Sequence, residues 1–198
     1  MHPFTLAFLA ALVLTTLGRL WLAWRHVRHI AQHRGRVPPG FAGQITLASH
    51  QQAADYTMAR TRTGMVEAVV GAAMLLAFTL GGGLEMIFKA WIPWLAPGGY
   101  AHAIAFVMTV AVASGIVDLP FGLYRTFVIE ARFGFNRTTL KLYVIDLIKQ
   151  ALLGVLLGGP LLLCVLWLMA VMGDAWWLYV WLTWVGFNLL IVTIYPSV

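Results

Sequence analysis

Cysteine is almost absent from this chain, and so are the short motifs that mark most hydrolases. The single cysteine, Cys164, cannot form an internal disulfide, so cysteine usage does not indicate a redox compartment. No H-E-x-x-H zinc motif, no G-x-S-x-G nucleophile motif and no Walker phosphate loop occurs in the 198 residues. We therefore predict no catalytic, cofactor-binding or metal-binding residues in this sequence, and any such chemistry would belong to other residues.

Charged residues are also scarce, at 10% of the chain, whereas hydrophobic residues make up 61%. Soluble domains average about 25% charged residues. Five apolar runs reach or approach the roughly 20 residues that cross a bilayer, at residues 3–24, 65–84, 101–119, 151–172 and 175–194. The sequence thus predicts an all-α, polytopic membrane protein, one membrane domain over residues 1–198, with the lipid bilayer as its main partner.

The few basic residues are unevenly placed. The segment 25–62 holds six arginines, the segment 121–150 holds five lysines and arginines, and Lys89 is the one such residue in the other two connections. Since cytoplasmic loops carry the Lys/Arg excess, we expect both basic segments to be cytoplasmic and helical, with the N-terminus outside and the C-terminus inside. No lysine or arginine precedes the first run, so we expect a retained anchor and not a cleaved signal peptide.

The formal net charge of +6 follows from these two segments. We interpret it as membrane topology and attraction to anionic lipid. Nucleic-acid binding is not expected, because a basic groove with exposed stacking aromatics would be needed. The composition, rich in Ala, Gly, Leu and Arg, suggests a bacterium and therefore the cell inner membrane.

Three histidines lie on one helix face at the start of the first basic segment: His26, His29 and His33. His29 and His33 have the i, i+4 spacing of a zinc pair. A zinc helix usually brings a glutamate base and a third ligand, and the nearest acid is Asp55, beyond two prolines. We therefore favour a polar helix end leaving the bilayer over a metal site. After the prolines, a second helix is expected at about residues 41–62.

The second basic segment carries a stronger helical pattern. Asn136 is a candidate N-cap, and the apolar residues after it follow the i, i+3, i+4, i+7 spacing of an amphipathic helix, over residues 138–149. This helix should run directly into the fourth span. Pro120 is expected to break or kink the third helix, and Gly134, between two phenylalanines, predicts a tight turn.

Several polar residues lie near or within the predicted spans. We expect interfacial ion pairs, with Asp118 near Arg125 and Glu67 near Arg60 and Arg62, in preference to a substrate role. Asn188, deeper in the fifth run, is expected to form an interhelical hydrogen bond. The three glycines at 81–83 predict a bend, followed by an interfacial segment at 84–95.

Three segments carry a family resemblance: YRTFVIEARFGFNRTTLKLYVIDLIK, the earlier AADYTMARTR, and GFNLLIVTIYPSV at the end of the fifth run. In this order they resemble the type I CAAX prenyl protease family, integral-membrane zinc metalloendopeptidases. The likeness covers essentially the whole chain. Its core, which we take as a family-motif and docking segment, comprises Glu130, Arg132, Phe133, Gly134, Phe135 and Asn136.

The resemblance implies seven spans around an aqueous chamber, with zinc bound after the fifth span by two histidines of H-E-x-x-H and a later glutamate. The present 198 residues lack that motif. They are thus expected to form the N-terminal membrane domain and part of the chamber, inactive alone, with zinc only in a full-length parent and a C-terminal catalytic half as partner. The alternative is a free-standing membrane module, such as an adaptor or small transporter subunit.

Overall fold

The computed structural model describes residues 2–41 and 43–194, and helices dominate this part of the chain. The long elements are α1 (Pro3–His33), α2 (Leu47–Thr79), α3 (Gly83–Trp91), α4 (Tyr100–Tyr124), α5 (Leu140–Val171) and α6 (Trp176–Ile194). A π-helical turn, Arg125–Glu130, follows α4, and short 3-10 turns occur at Pro39–Phe41 and Gly173–Ala175. The described residues contain no strand, so the predicted all-α class is confirmed.

Five helical segments are long and apolar enough to cross a bilayer: Pro3–His33, Leu47–Thr79, Tyr100–Glu130, Leu140–Val171 and Gly173–Thr193. Their number agrees with the five predicted spans. Each contains one of the predicted apolar runs or most of it. The protein is therefore a multi-pass membrane protein.

A water-excluding core does not hold these helices together. Among the described residues, the nearly fully buried side chains are Ala54, His102, Ile129 and Leu168. Large apolar side chains are instead exposed along the spans, such as Leu14 at 70% and Leu156 at 67%. Hydrocarbon solvates such side chains as well as a protein interior does, so lipid is the solvent that this surface requires.

The second helix is longer than expected. The helix predicted at about residues 41–62 is present from Leu47, but its predicted end is wrong, since one continuous helix, Leu47–Thr79, carries both the polar segment and the second span. Thr46 begins it, because its side chain accepts a hydrogen bond from the Ser49 backbone N–H at 3.2 Å. Thr63 and Gly64 at the junction of the two segments are weak helix formers, but they lower helix stability without ending the helix.

The third span does not end at its proline. α4 continues through Pro120 to Tyr124, so a break at this residue is wrong, while the alternative, a kink, stays a prediction. Proline removes only one backbone hydrogen bond, which a membrane helix tolerates when neighbouring groups compensate. The irregular geometry comes later, in the π-helical turn Arg125–Glu130.

The cap of the fourth span also differs from the prediction. Thr139 is the N-cap of α5, accepting from the Leu142 N–H at 3.2 Å, and the helix begins at Leu140. Asn136 instead accepts from the Thr138 N–H at 2.7 Å, which closes a local Asx turn before the helix. The predicted continuity of this helix with the fourth span is confirmed, because α5 runs unbroken to Val171.

The glycine-rich bend after the second span is present. Gly82 has φ of 76°, a value that favours glycine, and it separates α2 from the short helix α3. A Cβ on Gly81 would lie 2.7 Å from the Ala77 carbonyl oxygen, so the close approach also requires glycine there. The segment expected at 84–95 is thus largely the helix Gly83–Trp91.

The chain forms two compact units. One comprises Met1–Ala90 and Thr109–Thr138, and the other comprises Trp91–Met108 and Thr139–Val198. In the first unit, α2 packs along α1 and against the π-helical turn. In the second, α5 packs against α6. The end of the predicted fifth-helix segment, residues 195–198, lies outside the described residues.

Candidate functional site

The motif segment 130–136, here called the signature turn, reverses the chain within a few residues. The Glu130 carbonyl oxygen accepts from the N–H of Phe135 at 2.9 Å and from that of Asn136 at 3.1 Å. Gly134 has φ of 77°, which confirms the predicted tight turn. Residues with a Cβ rarely adopt this conformation, so glycine permits the reversal.

The signature turn is anchored on the N-terminal half of α2. The ring of Tyr56 makes edge contacts with Phe133, at a centroid distance of 5.6 Å, and with Phe135, at 5.0 Å. The Gln52 side-chain amide donates to the Phe133 carbonyl oxygen at 3.0 Å. Edge-to-face aromatic pairs are favourable because the ring edge is positive and the face negative. The turn therefore has a defined position on this helix.

One side of the anchored turn stays open. Phe135 is 55% exposed although it contacts Tyr56. Arg132 is exposed, with its guanidinium carbon 5.7 Å from the centroid of the Phe133 ring, and Glu130 is half-buried. A cation, a carboxylate and an aromatic ring are thus presented together on a rigid support, which suits recognition of another protein surface better than catalysis.

A bidentate ion pair joins the end of α1 to α2. Arg34 donates to Asp55 through Nε to Oδ1 and through Nη2 to Oδ2, both at 2.7 Å. This hydrogen bonding, together with the charge of Asp55, raises the pKa of the Arg34 guanidinium above its ordinary value. Close by, the His50 ring Nε2 lies 3.2 Å from the His33 carbonyl oxygen. Polar contacts thereby hold the C-terminal end of α1 against the N-terminal part of α2.

A second ion pair links α2 to the π-helical turn. Arg125 donates to Glu67, and both side chains are partly buried. The predicted pairing of Glu67 with Arg60 and Arg62, and of Asp118 with Arg125, is therefore wrong. Sequence proximity suggested those partners, whereas helix packing brings Arg125 to Glu67 from the next span. Asp118 makes no ion pair within residues 2–41 and 43–194.

Two other polar contacts lie within single helices. The Asn188 side-chain amide donates to the Trp184 carbonyl oxygen at 2.8 Å in its own helix, so the expected interhelical bond is wrong. An amide can satisfy its donor this way whenever the carbonyl four residues earlier is accessible. Lys89 bonds Glu85 at 2.6 Å, and this hydrogen bond lowers the pKa of the Glu85 carboxyl.

The three-histidine face does not form a closed ligand set. The rings of His29 and His33 lie 4.2 Å apart in a tilted arrangement, and His33 Nδ1 is 2.8 Å from the His29 carbonyl oxygen. Among the described residues no cluster of three or more His, Cys, Asp or Glu side chains could hold a metal ion. Within residues 2–41 and 43–194, no zinc ligand set thus surrounds these histidines.

A groove lies between α1 and α2 in the first unit, with a volume of about 640 Å³. Its lining combines four polar side chains with small and apolar residues: Thr15, Thr16, Arg19 and Glu67 beside Leu12, Gly64, Ala68, Gly71, Ala72 and Leu75. Ionisable groups within a span usually face protein or water. The groove therefore brings two ionisable side chains, Arg19 and Glu67, to the seam between α1 and α2.

The apolar face predicted for residues 138–149 is largely uncovered. Leu140 is 62% exposed and Ile148 is 54% exposed. On the polar side, Lys149 lies 3.9 Å from Asp146. This part of α5 is therefore available to lipid or to another protein.

Sequence reasoning identified the signature turn and the earlier AADYTMARTR segment separately, but not their contact. Gln52, Asp55 and Tyr56 lie in or beside that earlier segment, and all three hold neighbouring chain segments in place. A tyrosine and a glutamine on one helix face, with a Phe-Gly-Phe turn later in the chain, carry no distance information alone. The only available signal was that both segments resembled the same family.

Comparison with known proteins gives a consistent result. Residues 26–198 match the family described as CAAX prenyl protease N-terminal, five membrane helices. A CAAX prenyl protease 1 homolog of Oryza sativa is 28% identical over 99% of this chain and 47% of its own length. The Arabidopsis thaliana homolog is 39% identical over 48% of this chain and 22% of its own length.

A solved structure has the same fold. The crystal structure of S. mikatae Ste24p superposes with a TM-score of 0.87 at 23% identity, covering 99% of this chain and 46% of that protein. The Oryza sativa relative and the solved structure each match 99% of this chain. The chain thus spans about half the length of either protein.

Proposed function

The chain belongs to the CAAX prenyl protease N-terminal family, and we propose that its signature turn docks a C-terminal catalytic half to form a zinc metalloendopeptidase. The chain is the N-terminal membrane domain of a CAAX prenyl protease-like protein. In this proposal the five spans form part of the intramembrane chamber wall, and the α1–α2 groove with Arg19 and Glu67 belongs to its lining. The substrates would be membrane-associated or prenylated polypeptides.

One observation carries the docking proposal. The signature turn is tied to α2 through Tyr56 and Gln52, yet Arg132 and Phe135 remain exposed. A surface that is preorganised and still open loses little conformational entropy when a partner covers it. The apolar face of α5 alone would be less informative, because lipid would satisfy it equally well.

Peptide hydrolysis would depend on the partner half. In the proposed assembly, zinc is held by residues outside this chain and supplies an activated water. The residues described here hold no group that fits the metal, so this chain contributes position, chamber wall and docking contacts. We assign it no proton transfer and no metal ligand.

The proposed location is a bacterial inner membrane, with the N-terminus outside and the C-terminus in the cytoplasm. The Lys/Arg excess of segments 25–62 and 121–150 supports this orientation. The signature turn lies in the second of these segments. Docking would therefore take place at the cytoplasmic face.

Co-expression tests the proposal. The chain would be produced with the separately tagged C-terminal part of a close full-length relative that carries H-E-x-x-H. We expect the two parts to co-purify and to cleave a prenylated CAAX peptide. Arg132→Ala and Asn136→Ala should weaken both properties, because they remove the exposed cation and the Asx turn that shapes the segment.

Lys149→Ala is the matched control, since Lys149 is basic and exposed but belongs to α5 and not to the turn. It should co-purify and cleave as the unmodified chain does. If the halves never associate, or if the turn variants equal Lys149→Ala, docking through the signature turn is wrong. A functional membrane module without protease partner would then be the better description.

A further inference from the structure

α1 has two unlike sides. Leu12, Thr16 and Arg19 line the groove with α2, and Arg34 bonds Asp55 at the end of the same side. At about 100° per residue, an opposite row of α1 residues points away from α2. This row, here called the Trp–Arg strip, comprises Leu14, Leu17, Trp21, Trp24, Arg25, Arg28 and Gln32.

The Trp–Arg strip is exposed and changes character along its length. Leu14 is 70% exposed and Leu17 58%, followed by Trp21 at 54% and Trp24 at 50%. From Leu14 to Arg25 the helix rises about 16 Å, roughly half of a hydrocarbon core. The leucines therefore reach the acyl chains when the tryptophans lie at the interface, the depth at which indole rings are enriched.

Each tryptophan supports an arginine one turn later. The guanidinium carbon of Arg25 lies 5.1 Å from the centroid of the Trp21 ring, and that of Arg28 lies 5.5 Å from that of Trp24. A guanidinium over a ring face is held by cation–π attraction, and its N–H donors remain directed outward. The planar guanidinium groups of Arg25 and Arg28 thus lie side by side at the end of an apolar strip.

Neither arginine has an acidic partner in the described part of the chain. The ion pairs there join Arg34 to Asp55, Lys89 to Glu85, Arg125 to Glu67 and Lys149 to Asp146. The polar lining around the two guanidiniums comes from His26, His29 and Gln32 on α1 itself. The strip consequently has positive charge and donors, but no protein anion.

We propose that the Trp–Arg strip is a binding site for anionic phospholipid, with the headgroup phosphate between Arg25 and Arg28 and an acyl chain along Leu14 and Leu17. Arginine matches phosphate oxygens through paired hydrogen bonds. A neutral protein helix on this face would leave both guanidiniums unpaired. The site requires that α1 crosses the bilayer and that this face stays open to lipid, but it does not require a catalytic half to be docked.

Native mass spectrometry of the purified 198-residue chain tests the site. The chain would be titrated in detergent with palmitoyl-oleoyl phosphatidylglycerol and, separately, with the matching phosphatidylcholine. We expect the affinity ratio between the two lipids to fall about tenfold or more in Arg25→Gln/Arg28→Gln, since a basic residue near an anionic surface is worth about 1 kcal/mol. Arg36→Gln/Arg137→Gln removes the same charge elsewhere and should change the ratio by less than about twofold.

Two further variants separate a shaped site from charge alone. Arg25→Lys/Arg28→Lys keeps the charge but loses the planar forks, and Trp21→Leu/Trp24→Leu keeps the arginines but removes their supports. Both should lower the ratio by about threefold, because oriented donors and cation–π support are lost. Circular dichroism would verify that each variant keeps its helix content.

Three results would overturn the proposal. The ratio could stay at its original value in Arg25→Gln/Arg28→Gln, or it could fall equally in the Arg36/Arg137 control, which would indicate net charge only. Loss of selective phosphatidylglycerol binding when the C-terminal part of a relative is co-purified would show that protein, not lipid, covers the strip.

Discussion

The ring of Tyr56 on α2 lies 5.0 Å from the ring of Phe135, at an interplanar angle of 72°. This contact joins two segments that are far apart in the sequence, and Phe133 repeats it from the other side of Gly134. Gln52 adds a hydrogen bond to the Phe133 carbonyl, so α2 holds the turn through three contacts. We therefore expect the signature turn to respond to changes on this helix.

Replacing Tyr56 with alanine should loosen the turn without unfolding the spans. The loss of two aromatic contacts is expected to cost about 1–3 kcal/mol. Hydrogen–deuterium exchange should rise at the amides of Phe135 and Asn136, whose bonds to the Glu130 carbonyl close the turn. Tyr56→Phe keeps the ring and should exchange like the original chain. Unchanged protection in Tyr56→Ala would show that the turn keeps its hydrogen bonds without the Tyr56 contacts.

Glu67→Ala should destabilise the first unit, because it leaves Arg125 partly buried without its carboxylate. Breaking such a pair costs about 1–3 kcal/mol when burial is partial. The change would be measured as a lower midpoint of thermal unfolding in detergent. A double variant that also carries Arg125→Met should recover part of the loss.

Glu85→Gln is the control for that measurement. Glu85 also pairs with a cation, but both side chains are well exposed, at 67% for Glu85 and 66% for Lys89. Exposed pairs contribute little to stability. The midpoint should therefore stay where it is, and an equal fall in both variants would contradict a special role for the Glu67 pair.

Gly134→Ala should strain the backbone alone. Its φ is 77°, and a Cβ there would meet no atom within 4 Å, so the cost of about 1–2 kcal/mol comes from conformation and not from a clash. Gly64→Ala also meets no atom within 4 Å but lies inside α2. It should raise the unfolding midpoint, since alanine is the better helix former. Opposite signs in the two variants are the expected result.

Topology can be checked with alkaline phosphatase fusions. Fusions at Gly98 and Gly173 should be active, and fusions at Gly40 and Arg137 inactive, because the enzyme matures only outside the cytoplasm. The physical reason is the Lys/Arg excess around Gly40 and Arg137. The opposite activity pattern would invert the whole assignment.

The purified chain should bind no stoichiometric zinc and cleave no peptide. The ring centroids of His29 and His33 lie 4.2 Å apart. In the described residues no third ligand, whether a carboxylate, a cysteine or another histidine, completes a metal site with them. Elemental analysis after dialysis would measure the metal content. One zinc per chain that disappears in His29→Ala/His33→Ala would require a histidine site at this helix end.

The number and approximate position of the spans followed from the sequence alone. Apolar runs of bilayer length need no tertiary partner to be recognised, because lipid, and not a specific core, satisfies their side chains. Gly134 and the glycines at 81–83 were equally readable, since only glycine adopts or tolerates their geometry without cost. The family resemblance also lay in the linear order of three segments.

Tertiary structure decided which polar groups meet. Glu67 has arginines nearby in the sequence, yet packing of the π-helical turn against α2 brings Arg125 to it. Tyr56 and Phe135 carry no linear sign of their contact. Which side chain caps α5 also depends on the path of the chain: Thr139 caps the helix, whereas Asn136 closes the turn before it. Lipid can solvate each apolar segment independently of the others, whereas a hydrogen bond or ion pair between segments forms only when the fold brings both partners into contact.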